Sequence, residues 1–145
     1  MKVEQLMTKD VHTCRPTDTL DVVAQILWDR DCGALPVVAD DDSGRVVGMI
    51  TDRDVCMAAY TQGRALKEVE VGSAMSSPVV VCAPSSLVQE ALESMGSAQV
   101  RRLPVVDDAN HLLGLLSLAD VARNGGAKSS AKAGETLSVI AQPRG

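Results

Sequence analysis

Apolar residues at Leu20, Val23, Ala24, Leu27 and Trp28 fall at i, i+3, i+4, i+7 and i+8, one face of a helix. The preceding Thr-Asp-Thr predicts a start near residue 18. The pattern returns at Leu87, Val88, Ala91, Leu92 and Met95, with Ser86 and Gln89 at capping-box spacing and an end expected near Gly96. After each helix come Leu-Pro-Val-Val, a polar turn rich in Asp with Gly44 or Asn110, and a second aliphatic run that ends on Thr51 or Ser117. These runs predict antiparallel hairpins with Pro36 and Pro104 at a strand start. A further helix opens at once, from Asp52 to about Tyr60 and from Leu118 to about Arg123. With the short β-branched runs at 11–14 and 79–82 counted as strands, each half reads β-α-β-β-α, an α+β class.

The halves match block by block. Val11-His-Thr-Cys-Arg-Pro16 returns as Val79-Val-Val-Cys-Ala-Pro84, and Gly48-Met-Ile-Thr-Asp-Arg-Asp-Val55 as Gly114-Leu-Leu-Ser-Leu-Ala-Asp-Val121. The offset is 68 residues at Pro16 and Pro36 and 66 at Asp54. This is a duplication of a unit of roughly 60 residues, longer than most solenoid repeats. The boundaries read as repeat 1 over 1–60, a connector over 61–68, repeat 2 over 69–124, and a flexible linker and tail over 125–145. Leu137, Val139 and Ile140 form an apolar cluster in that tail, expected to dock on the body or on another subunit. The segment Val55-Cys-Met-Ala-Ala-Tyr60 is apolar nearly all round, which predicts a homodimer through that helix.

A length of 145 residues allows a real core, built almost wholly from aliphatic side chains, for there is no Phe, one Trp and one Tyr. The aromatic platforms of single-strand nucleic-acid binders are missing, and a net charge of −5 argues against a general phosphate-backbone binder. The start of the chain has no apolar signal region and no run approaches the ~20 apolar residues of a membrane span, so the chain reads as cytoplasmic. Cys14, Cys32, Cys56 and Cys82 lack Cys-x-x-Cys spacing and are expected to be buried or semi-buried small hydrophobes. His12 and His111 stand at nonequivalent positions, which predicts no metal site.

The chemistry concentrates in Thr51-x-x-Asp54 and Ser117-x-x-Asp120, each where a strand runs into a helix. A hydroxyl at N-cap with an acid at N3 stabilises a helix by about 1 kcal/mol with no further role. The same pair suits a ligand, because a carboxylate accepts from two vicinal ribose hydroxyls while helix amides and the neighbouring Arg53 suit a phosphate. Both readings stand on these residues alone. No Ser/His/Asp set, Walker loop or Gly-rich dinucleotide loop is present, so the chain is not expected to be an enzyme.

The ordered set of motifs, with Met7-Thr8 and Met75-Ser76 opening the copies, resembles the CBS domain family, whose members occur in tandem as a CBS pair, the Bateman module. Small stand-alone bacterial proteins of this type, some associated with hypoxia or stress responses, look similar. The resemblance implies two repeats packed with pseudo-twofold symmetry as a non-catalytic regulatory module. It would bind AMP, ADP, ATP or S-adenosylmethionine in a cleft between the copies, with no obligatory cofactor, and signal to an unidentified effector protein. It implies ribose and phosphate contacts from Thr51 with Asp54 and from Ser117 with Asp120. Thr13, Cys14, Val81 and Cys82, with Gly33, Ala34, Leu35 and Pro36 and with Val100, Arg101, Arg102, Leu103 and Pro104, would surround base or phosphate. The copies differ, since Arg53 is matched by Ala119 and Arg102 by Ala34, which favours one preferred pocket. Two other readings remain: a thiol redox sensor through Cys14, Cys32 or Cys56, and a ligand-free structural or partner-binding stress dimer.

Overall fold

A computed structural model describes residues 1–143. Its elements run α1 (Leu20–Asp29), β1 (Ala34–Val38), β2 (Val46–Thr51), α2 (Asp52–Gln62), α3 (Val88–Ala98), β3 (Arg102–Val106), β4 (Leu112–Ser117), α4 (Leu118–Asn124) and α5 (Gly126–Ile140). The α+β class and the twofold repetition hold. β1 pairs antiparallel with β2 and β3 with β4 in matching registers, Leu35 opposite Ile50 and Leu103 opposite Leu116, each with a bulge near the turn. Asp42 and Gly44 in one turn and Asn110 in the other take the positive φ that reverses the chain.

The expected first strands shrink to single parallel bridges, Cys14 to Val37 and Cys82 to Val105. Cys14 N donates to Pro36 O at 3.2 Å and Val38 N to Cys14 O at 2.9 Å. Extending that ladder one step either way would require an N–H from Pro36 or Pro16, and proline has none. Pro84 and Pro104 bound the other bridge in the same way. Pro36 and Pro104 are therefore the third residue of β1 and the third of β3, not strand starts.

The compact units do not coincide with the sequence repeats. One comprises Val11–Val79, and the other comprises Met1–Asp10 with the chain from Val80 onward. The first residues of the chain thus belong with repeat 2: Val3 is fully buried in its core, Val3 N donates to Ser86 O at 2.9 Å, and Thr8 and Leu115 exchange two backbone bonds of 2.9 Å. The same arrangement recurs 68 residues later, where Val71 is buried with repeat 1, its N–H donates to Asp18 O at 2.8 Å, and Ser76 and Met49 exchange bonds of 2.8 and 3.1 Å. These segments run so close to the hairpins that a Cβ on Gly48 would meet Met75 Sδ at 2.7 Å, and one on Gly114 would meet Thr8 O at 2.7 Å. Only glycine fits there.

In the Val11–Val79 unit, Leu20, Val23 and Leu27 of α1 pack on Leu35, Val37, Ile50 and Val55. In the other, Val88, Leu92 and Met95 of α3 pack on Leu103, Val105, Leu116 and Val121. Several sequence expectations give way here. Trp28 stands outside the buried face of α1 and is largely exposed. α3 has Leu87 at its N-cap with no side-chain cap, while Ser86 Oγ accepts from Ala83 N, and the helix runs through Gly96 to end at Gln99 in the left-handed region. The supposed flexible linker is α5, fifteen residues long, with Ala133, Thr136 and Ile140 buried and Leu137 and Val139 exposed. A composition rich in Lys, Ser and Ala reads as linker only until a tertiary surface stabilises the helix. No helix among the described residues is long and apolar enough to cross a membrane.

Candidate functional site

β2 ends on Thr51 in extended conformation and α2 begins at the next residue, so the Thr51 side chain lies over the first helical turn. Thr51 Oγ1 accepts from Asp54 N at 3.1 Å, and Asp54 Oδ2 accepts from Thr51 N at 2.9 Å. At the second site Ser117 Oγ accepts from Asp120 N at 3.0 Å and Asp120 Oδ2 from Ser117 N at 3.2 Å. Both motifs are complete capping boxes, and capping occupies only one oxygen of each carboxylate. The other oxygens differ: Asp120 Oδ1 accepts from Arg123 Nη2 at 3.2 Å, whereas Asp54 Oδ1 has no partner among the described residues.

The hairpins bring the neighbouring candidates to the same sheet end. Ala34 pairs with Thr51, and Asp52 N donates to Gly33 O at 3.1 Å. Arg102 pairs with Ser117, and Leu118 N donates to Arg101 O at 2.8 Å. Arg53 is exposed, its guanidinium in no ion pair among the described residues, and its N–H donates to Asp52 Oδ1 at 2.8 Å. Arg101 is exposed and Arg102 half-buried, again without an ion pair among the described residues. Thr13, Val81 and Val100 are half-buried, and Pro36 and Pro104 are buried in their strands. Leu35 and Leu103 point into the two cores, so they offer a ligand only backbone.

Cys14 is buried and Cys82 half-buried, as expected, while Cys32 and Cys56 are exposed, contrary to the expectation that all four are buried or semi-buried. Burial, with the Asp18 charge second, pushes the Cys14 thiol up to about 12, and burial pushes that of Cys82 up to about 11. A thiol held neutral is a poor nucleophile, which removes Cys14 from the redox candidates. The Asp40 to Asp42 turn is more than a solvated acidic run: Arg15 donates to Asp40 O at 2.9 Å and pairs with the Asp42 carboxylate, and Thr17 Oγ1 donates to Asp40 Oδ1 at 2.8 Å.

Arg123 is the residue that sequence reasoning missed, although its i+3 spacing from Asp120 on a helix was readable. Surface hollows of about 540 and 420 Å³ open elsewhere, beside Glu90, Glu93 and Ser97 and along Lys128 and Lys132. Neither touches a capping box. Among the described residues no group of three or more His, Cys, Asp or Glu is placed to hold a metal ion.

The CBS domain family matches residues 3–60 and 68–125, and the chain belongs to that family. CBS domain-containing protein YhcV of Bacillus subtilis is 36% identical over 138 residues, covering 95% of this chain and 94% of that protein. Hypoxic response protein 1 of Mycobacterium tuberculosis is 35% identical over 119 residues, 82% of this chain and 81% of that one. Among solved structures, the CBS domain pair of protein MJ0100, in complex with 5′-methylthioadenosine and S-adenosyl-L-methionine, has a TM-score of 0.75 at 25% identity, covering 88% of this chain and 98% of that chain. CBSX2 in complex with AMP has a TM-score of 0.74 at 26% identity, covering 86% and 95%.

Proposed function

We propose that this protein is a non-catalytic sensor of an adenosine-containing ligand, AMP, ADP, ATP or S-adenosylmethionine, with the first repeat as the preferred site. The observation that carries this reading is the free Asp54 Oδ1 at a capped helix start, beside a guanidinium with no protein partner among the described residues. Asp54 accepts the ribose hydroxyls, the Thr51 hydroxyl donates to phosphate or sulfonium-side groups, and Arg53 supplies charge to a nucleotide phosphate. Gly33, Ala34, Thr13 and the backbone near Cys14 border the base. Ser117, Asp120, Arg101 and Arg102 form a second, weaker site. The adenosine ligands of CBSX2 and of the MJ0100 pair support this assignment.

The protein works in the cytoplasm as a homodimer read by an effector protein, and binds neither nucleic acid nor membrane. A thermal-shift series with AMP, ADP, ATP, NAD and S-adenosylmethionine tests the sensor reading. A ligand at a hundred times its Kd adds about 2.7 kcal/mol, a rise of roughly 5 to 10 °C in Tm for a chain of this size. No rise with any of the five counts against it. Exposed Cys32 and Cys56 keep a thiol-sensor reading open, and mass spectrometry after mild oxidant tests it by the presence of a disulfide or sulfenic acid at either residue.

A further inference from the structure

Resting on the adenosine-ligand reading above, we infer that the two repeats rank such ligands differently: the first reads the adenosyl group with at most one phosphate, and the second, weaker site selects by phosphate number through Arg123. The repeat offsets align residues 29–34 with 97–102 and residues 51–57 with 117–123. Asp31 and Gln99 both take the left-handed conformation, at φ 49° and 54°, which supports the alignment. In the first pair of segments Asp29, Asp31, Asp52 and Asp54 outnumber Arg30 and Arg53, for a net charge of −2. In the second pair Arg101, Arg102 and Arg123 outnumber Asp120, for a net charge of +2. Sites of opposite charge do not select the same anion.

The hairpin and α4 bring the positive charges to the second capping box. Arg102 pairs with Ser117 across the hairpin, so both side chains leave the sheet on one face, and Arg101 O accepts from Leu118 N at 2.8 Å. Arg123 Nη2 donates to Asp120 Oδ1 at 3.2 Å, with the Arg123 side chain 68% exposed and that of Asp120 15%. An exposed ion pair contributes little, whereas a phosphate offers the guanidinium a bidentate partner of higher charge. Arg123 therefore moves from carboxylate to phosphate, and the same move frees Asp120 Oδ1 for a ribose hydroxyl. A ligand with no phosphate in reach leaves Arg123 on Asp120 and that acceptor closed. In the first repeat the counterpart of Arg123 is Met57, and the counterpart of Leu118 is Asp52, whose Oδ1 accepts from Arg53 N at 2.8 Å. The Asp52 carboxylate repels further phosphates there, while Asp54 Oδ1 takes a ribose hydroxyl without any exchange.

The test is calorimetric titration of the full chain with AMP, ADP and ATP in magnesium-free buffer. Asp54→Asn isolates the second repeat, where Kd should fall about tenfold or more from AMP to ATP, with the gap narrowing as salt rises. Asp120→Asn isolates the first repeat, where added phosphates should bring no gain. Adding Arg123→Gln to Asp54→Asn should remove the preference for ATP and leave AMP bound no more weakly, a split that a merely structural arginine would not give. A folded Asp54→Asn chain that binds no ATP or ranks the three alike, or equal losses of AMP and ATP with Arg123→Gln, overturns phosphate selection and leaves the sensor reading standing. A parent chain that binds no adenosine ligand overturns both. If Asp54→Asn does not fold, Arg123→Gln in the parent chain decides: loss of the weaker ATP-binding event alone upholds the selection, and an unchanged ATP titration overturns it.

Discussion

Asp54 and Asp120 hold the same place in two copies of one motif, yet the second spends its outer oxygen on Arg123. A ribose competing at Asp120 must displace a guanidinium, while at Asp54 it meets a free acceptor. Asp54→Asn should therefore cost about tenfold or more in affinity for the best nucleotide by calorimetric titration, since a charge-assisted hydrogen bond contributes roughly 1.5 to 3 kcal/mol. Asp120→Asn should cost less, and equal losses would show that the two sites are equivalent. Cys14 makes a separate prediction for pH. Its folded pKa, about 12 against the usual 9.0, lies above that of the unfolded chain, so its contribution is complete below pH 9 and is lost as pH rises through the folded value. Urea unfolding should show stability falling between about pH 9 and 12, by at most about 1.4 kcal/mol per pH unit for one proton, with a shallower fall in Cys14→Ala.

At the scale of elements, α5 separates residues that the sequence groups together. Ile140 lies in the core with Ala133 and Leu92, whereas Leu137 is 42% exposed on the same helix. Ile140→Ala should lower stability by about 2 kcal/mol or more in urea titration, and Leu137→Ala should stay within about 0.5 kcal/mol. Equal small effects would mean that α5 is not docked in solution. The capping boxes act at this scale too: they fix where α2 and α4 begin, so the carboxylates stand beside β1 and β3 rather than one turn away.

For the whole molecule, the notable consequence is that the first ten residues belong with repeat 2 and the residues around Val71 with repeat 1. A terminal valine would ordinarily be dispensable. Val3→Ala should instead cost on the order of 2 kcal/mol, and the Val3 and Thr8 amides should be among those protected from hydrogen exchange. Rapid exchange at both would show that the segment is not part of the unit.

The duplication, the α+β class, the second helix of each copy and both capping boxes follow from the sequence alone, because each rests on local chemistry: periodicity, turn residues, a hydroxyl and an acid three positions apart. The first strands were misread because pairing beyond Cys14 depends on N–H groups that Pro16 and Pro36 lack, a property of the partner strand rather than of the run itself. Trp28 matches the helical period yet faces water, since period fixes direction around a helix and not what stands opposite. The tail became a helix because α3 and α4 present a face for it, a surface that exists only once repeat 2 has folded. The same holds for the site. Thr51 and Asp54 are legible as a pair, but which carboxylate keeps a free oxygen is decided by where Arg123 reaches, and which segment completes each core is decided by long-range contact.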